Sequence, residues 1–126
     1  MHWRIFKYFL HQFFIRHRRG HGIHSPYVFE FVNQVLFNST EIETPAEILK
    51  EHQKMRSEYA FVRRSSVSTR YGSLLYRIVR WFRPEMILEL GTGVGISTVY
   101  LSSAAPEIQL HSIEGNMGRA AIAAQL

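Results

Sequence analysis

The chain has 126 residues, 46% of them hydrophobic, which suffices for one ordinary globular domain, and it contains no cysteine. Disulfides and thiolate metal sites are therefore excluded, and a reducing cytoplasm is the expected location. The formal net charge of +5 is concentrated at one end. Arg4, Lys7, Arg16, Arg18 and Arg19 all precede the first acid, Glu30, and the remaining ten Lys/Arg and ten Glu cancel. That distribution argues against a nucleic-acid surface spread over the whole domain. No stretch approaches the ~20 apolar residues a transmembrane helix needs. The apolar start is broken by Lys7 and His11, without a following small-residue cleavage site, so it does not read as a signal peptide.

In chain order, residues 3–17 read as a basic amphipathic helix with Phe6, Phe9, Leu10, Phe13 and Phe14 on its apolar stripe. Such a helix could lie on an anionic membrane, recruit a partner, or dock as a lid or dimer arm; docking is the favoured reading. After a glycine-containing basic break, Ser25 caps a helix that has Pro26 at its first position and runs through Phe37. It is apolar on most sides and is expected to be buried. Thr44-Pro45-Ala46-Glu47 has the form of a capping box and opens a more polar helix towards Glu58. Arg63 to Thr69 reads as a connector. The next helix carries Tyr71, Leu74, Leu75, Ile78 and Phe82 on one face and stops before Pro84.

Beyond Pro84 the pattern changes. Met86-Ile87-Leu88-Glu89-Leu90 is the short apolar run expected of a parallel strand covered on both faces. A glycine-rich turn leads into a helix from about Gly95 to Ala104, Ile108 to Ile113 forms a second strand, and Asn116 caps a last helix running into Leu126. The expected organisation is a basic helix (1–20), a helical region (21–83) and the opening of an α/β domain (84–126). Two strands bury little on their own, and the last helix lacks a stop signal, so a fragment with further strands missing is expected.

The chemistry is concentrated between Glu89 and Glu114. A strand that turns sharply into a helix beside a ligand favours glycine, which tolerates positive φ and has no Cβ. Gly91, Gly93 and Gly95 give G-x-G-x-G, and a dinucleotide fingerprint would want another glycine where Ile96 stands. Glu89, ending the strand, would oppose a phosphate but suits an ammonium group. Glu114 ends the next strand 19 residues after Gly95, near the ~20 expected of a ribose-binding acid. A ligand with a ribose, a positive amino-acid end and no diphosphate satisfies all three features, and S-adenosyl-L-methionine (SAM) is such a ligand. Each feature also has a plainer explanation: an ordinary glycine turn, a Glu89 buried with an arginine, and a surface Glu114.

The segment Ile87 to Thr98 resembles the first motif of class I SAM-dependent methyltransferases, especially small O-methyltransferases, and Ser112-Ile113-Glu114-Gly115 resembles their second-strand ending. Tyr71-Gly72-Ser73-Leu74-Leu75 and Gly22 to Phe29 are similar to a bacterial subgroup of that family. The resemblance implies a Rossmann-like fold, of which the first two parallel strands and their helices are present behind a helical N-terminal region. It also implies that Glu89, Gly91, Thr92, Gly93 and Gly95 hold the methionine end and Glu114 the ribose. Ser97 is a weaker candidate for the carboxylate end, or a helix cap. The family's adenine and acceptor segments have no counterpart, so the fragment alone is expected to bind SAM poorly and to be inactive. No catalytic residue can be assigned. The resemblance implies a small-molecule acceptor, with oxygen as the atom methylated.

Two enzyme-independent features remain. His17, His21 and His24 lie close together but lack a carboxylate to complete a metal set, so capping or solvated roles are expected. Arg63, Arg64, Arg77, Arg80 and Arg83 are expected on solvated faces. The alternatives to a methyltransferase are an NAD-dependent oxidoreductase, and a membrane- or nucleic-acid-associated module using the basic helix.

Overall fold

A computed structural model describes residues 22–37, 43–60 and 62–126. The expected helix over 3–17, and His17 and His21, lie outside these residues. Two compact units are present, Met1–Glu41 and Ile42–Leu126.

In the first unit, α1 (Pro26–Phe31) starts as its sequence dictates. The Ser25 hydroxyl accepts from the Val28 amide at 3.4 Å, and Pro26 occupies the first turn. The helix continues to Phe37, but Val32–Phe37 is a π-helix. Asn33 supplies a local reason: its side-chain amide donates to the Phe29 carbonyl at 2.8 Å, competing for a backbone acceptor. The expectation of a buried helix is overturned, since Tyr27, Val28, Phe29, Leu36 and Phe37 are all exposed and only Val35 is buried among its described residues.

The second unit is mixed α/β, with helices α2 (Ala46–Glu58), α3 (Val62–Ser65), α4 (Thr69–Phe82), α5 (Ile96–Ala104) and α6 (Met117–Ala123), and strands β1 (Met86–Leu90) and β2 (Gln109–Ile113). The capping box before α2 does not form. Pro45 itself is the N-cap residue, which leaves Thr44 one position too early, and its buried hydroxyl has no partner among the described residues. Part of the supposed connector, Val62–Ser65, is a short helix. At the end of α4 Arg83 turns left-handed at φ 45° and donates its amide to the Val79 carbonyl, and Pro84 prevents further helix. Asn116 caps α6 by accepting from the Arg119 amide at 3.0 Å, and the helix ends at Ala123, earlier than expected.

The rotation of α4 differs from its sequence pattern. Gly72, Tyr76 and Val79 face inward, whereas Tyr71 and Phe82 are 61% and 52% exposed. Gly72 explains the choice, because a Cβ there would overlap the Tyr100 ring of α5. The close approach of the two helices at this glycine turns the Gly72–Tyr76–Val79 stripe onto α5. Of the arginines expected on solvated faces, Arg63, Arg80 and Arg83 are exposed, and Arg80 also donates to the Ala104 carbonyl at the end of α5. Arg77 departs from that expectation: it is buried, and burial lowers its pKa.

The strands pair in parallel, with Met86 opposite Gln109 and Leu90 opposite Ile113. Among the described residues only one face of the sheet is covered, contrary to the expected two. Ile87 and Leu110 pack against the core, while Met86, Leu88, Leu90 and Ile113 on the other face are 57–75% exposed. The core lies between the covered face and the helices, centred on Ile48, Met55, Val62, Tyr76, Val79, Ile96 and Tyr100.

Candidate functional site

The loop between β1 and α5 is shaped by its glycines. Gly91, Gly93 and Gly95 have φ of 90°, 60° and 90°, where a side chain is disfavoured. The Gly91 and Thr92 amides both donate to the Ile113 carbonyl, at 2.8 and 3.2 Å, which carries the ladder past the strand end and ties the loop to β2. Gly95 closes the turn with its amide on the Thr92 carbonyl at 2.9 Å and serves as N-cap of α5. It is buried, and a Cβ there would overlap the Leu126 side chain, so Gly95 permits packing of the C-terminal segment on the loop. Ser97 does not cap α5; it stands at the second helical position, half-buried.

Glu89 is 8% exposed and has no arginine partner among the described residues. One carboxylate oxygen, Oε2, accepts from Thr98 Oγ1 and from Ser112 Oγ, each at 2.6 Å. The strand register makes the second contact inevitable, since Ser112 lies directly opposite Glu89. A hydroxyl has one proton to give, and Ser112 gives it to Glu89, so the Thr92 hydroxyl donates to Ser112. The other oxygen, Oε1, is buried without any hydrogen-bond partner among the described residues. A buried carboxylate oxygen left unpaired is costly, and a cationic or N–H donor would remove that cost.

Glu114 lies across the loop. Its Oε2 accepts from the Gly93 amide at 2.6 Å, and its Oε1 from the Asn116 amide at 2.8 Å. These two bonds, first that of Asn116 and then that of Gly93, hold its pKa below the ordinary carboxylate value, with a smaller contribution from Arg119.

Gly91, Thr92, Gly93 and Ser97 line one small cavity of about 80 Å³, together with Ser66 and Val67 from the α3–α4 connector and Arg119 from α6. Glu89, Gly95 and Glu114 do not line it, although Glu89 is linked to it through Ser112 and Thr92, and Glu114 through the Gly93 amide. A larger groove of about 500 Å³ lies between α2, α5 and α6, floored by Met55, Val99, Ile122 and Leu126, and none of the expected site residues reaches it. The small cavity is therefore the one attached to the chemistry. Thr98, Ser112, Ser66 and Arg119 were not among the expected site residues. Thr98 and Ser112 lie inside the motif segments, but only the fold brings their hydroxyls to Glu89. His24 is exposed at the start of α1, and no group of three or more metal-ligating side chains forms among the described residues. No helix among these residues is long and apolar enough to cross a membrane.

No family model, curated protein or solved structure matches this chain.

Proposed function

We propose that the chain carries the donor-binding part of a SAM-dependent methyltransferase, in which β1, the glycine loop, α5 and β2 form the cofactor edge of a Rossmann-like sheet. Glu89 carries this reading. It is a buried carboxylate at the end of β1, its only described partners are hydroxyls, and one oxygen has no partner. The α-ammonium of an amino-acid moiety is the complement such a group lacks. Glu114 supports the same ligand. A carboxylate already occupies the Gly93 amide, the kind of donor a diphosphate would need, which disfavours the NAD alternative. On ligand entry, the Glu114 carboxylate would exchange backbone amides for the two ribose hydroxyls.

A SAM sulfonium supplies an intrinsically electrophilic methyl group, so the protein's share of the work is alignment and exclusion of water. Glu89 would fix the ammonium end, and Ser66, Ser97 and Arg119 would border the loop side of the ligand. A small-molecule acceptor methylated at oxygen accompanies this reading through the motif resemblance alone. The lack of cysteine fits work in a reducing cytoplasm.

The test is an amide chemical-shift titration of the chain with SAM, S-adenosylhomocysteine and NAD. A cavity of about 80 Å³ encloses only part of such ligands, well below the ~300–1,000 Å³ of a complete pocket. The expected affinity is accordingly weak, Kd on the order of 1 mM. SAM and S-adenosylhomocysteine should shift the Gly91, Gly93 and Ser112 amides. Glu89→Gln should weaken this response at least ~10-fold while leaving the dispersed spectrum of a folded chain. A response to NAD without one to SAM would sink the reading.

A further inference from the structure

The core contains a polar pair that the proposed site does not use. His52 of α2 is 2% exposed, and its Nδ1 is 2.7 Å from the hydroxyl of Tyr100, which is completely buried in α5. The rings meet edge to face, with centroids 5.7 Å apart and planes at 85°. Gly72 of α4 packs on the far part of the same tyrosine, where no Cβ fits. Three helices thus meet at one tyrosine side chain. The other histidine nitrogen, Nε2, is buried without a partner among the described residues.

A neutral imidazole has one N–H and one lone pair, and either tautomer can bond to Tyr100, whose hydroxyl can donate or accept. An imidazolium cannot be accommodated as easily. It would donate from both nitrogens, leaving a charged N–H at Nε2 buried without an acceptor. Nor does any opposite charge among the described residues face it. On α2 the charge acting on His52 is Arg56, of the same sign, while Glu51 pairs with Lys54 at 3.3 Å and Glu47 and Glu58 are exposed. α2 packs chiefly on α3 and α5, and α4, which meets it at Tyr100, carries Arg70, Arg77 and Arg80 and no acid, Arg77 being buried. The charged residues of α3 are Arg63 and Arg64, and α5 has no acidic or basic residue. On α5 the only titratable group facing His52 is Tyr100, whose pKa burial raises, so it remains the neutral phenol.

We propose that His52 and Tyr100 form a proton-released latch between α2 and α5, closed with a neutral imidazole and opened when His52 is protonated. The latch bears on the glycine loop because α5 also carries Thr98, which holds Glu89 two residues before Tyr100. It rests on the packing of the helices alone, so it stands or falls separately from the SAM reading. The sign follows from burial, which together with Arg56 lowers the His52 pKa below 6.5. The unfolded chain then binds the proton first. The stabilisation is fully present above the unfolded-state value of ~6.5 and is lost as pH falls through the lower folded-state value.

Thermal denaturation between pH 7.5 and 5 of the full chain, His52→Gln and Tyr100→Phe tests the latch. Glutamine retains a neutral hydrogen-bonding group for Tyr100, and phenylalanine retains the ring on Gly72. The unmodified chain should lose ~5 °C or more of Tm over this range relative to His52→Gln. Tyr100→Phe should lower Tm at pH 7.5, where the latch is closed, and lose less Tm on acidification than the unmodified chain. Parallel profiles for the chain and His52→Gln would overturn the latch. Should either variant fail to fold, an imidazole proton titration of the unmodified chain decides. A His52 midpoint below 6.5 supports the latch, and a midpoint at or above 6.5 overturns it.

Discussion

The α2–α4–α5 junction and the two-stranded sheet both contain apolar segments, yet they end in opposite states. At the junction, Met55, Val79 and Tyr100 are buried from several directions, and even the polar His52 is drawn in. Along β1 the side chains alternate, so Ile87 and Glu89 turn inward while Met86, Leu88 and Leu90 remain exposed. A helix packed between two others is enclosed on most of its circumference. A strand has two faces, and each is buried only where something covers it. Core stability therefore resides at the junction, while the sheet mainly positions Glu89, Ser112 and Glu114 around the loop.

This contrast predicts its largest effect at Tyr100. Tyr100→Ala should cost ~3–5 kcal/mol in urea denaturation, whereas Leu88→Ala on the open sheet face should change stability by about 0.5 kcal/mol or less. Equal losses would show that the exposed face is buried in solution. A smaller effect is expected at Gly72. The added methyl of Gly72→Ala must displace the Tyr100 ring, at ~1–3 kcal/mol, while Gly115→Ala, which meets nothing within 4 Å, should be near neutral. If Gly72→Ala is harmless, α4 and α5 do not approach as described. The smallest effect belongs to Glu114. Its pKa is lowered in the folded chain, so its contribution is fully present above the unfolded value near 4.5 and lost as pH falls through the folded value. Glu114→Gln should flatten the acid limb of the stability profile below about pH 4.5. An unchanged limb would remove its carboxylate from the Gly93 and Asn116 amides.

Several elements were legible because their determinants are local. Ser25 and Pro26 start α1, Asn116 caps α6, and the glycines at 91, 93 and 95 mark the turn, because caps and positive φ depend on residues within a few positions. The order strand, loop, helix, strand was equally readable. The inward face of α4 was not. Its strongest apolar stripe ran through Tyr71 and Phe82, and a glycine, which contributes nothing to hydrophobic periodicity, decided the rotation through contact with Tyr100.

The same division applies to the candidate site. Residue types and spacing alone singled out Glu89, the loop and Glu114. Tertiary structure decided what each one touches: Glu114 meets Gly93 across 21 positions, Ser112 meets Glu89 across 23, and His52 meets Tyr100 across 48. Local chemistry determines backbone shape. Whether a carboxylate finds an arginine, a hydroxyl or nothing depends on chain segments brought together by burial of apolar surface, which no local pattern encodes.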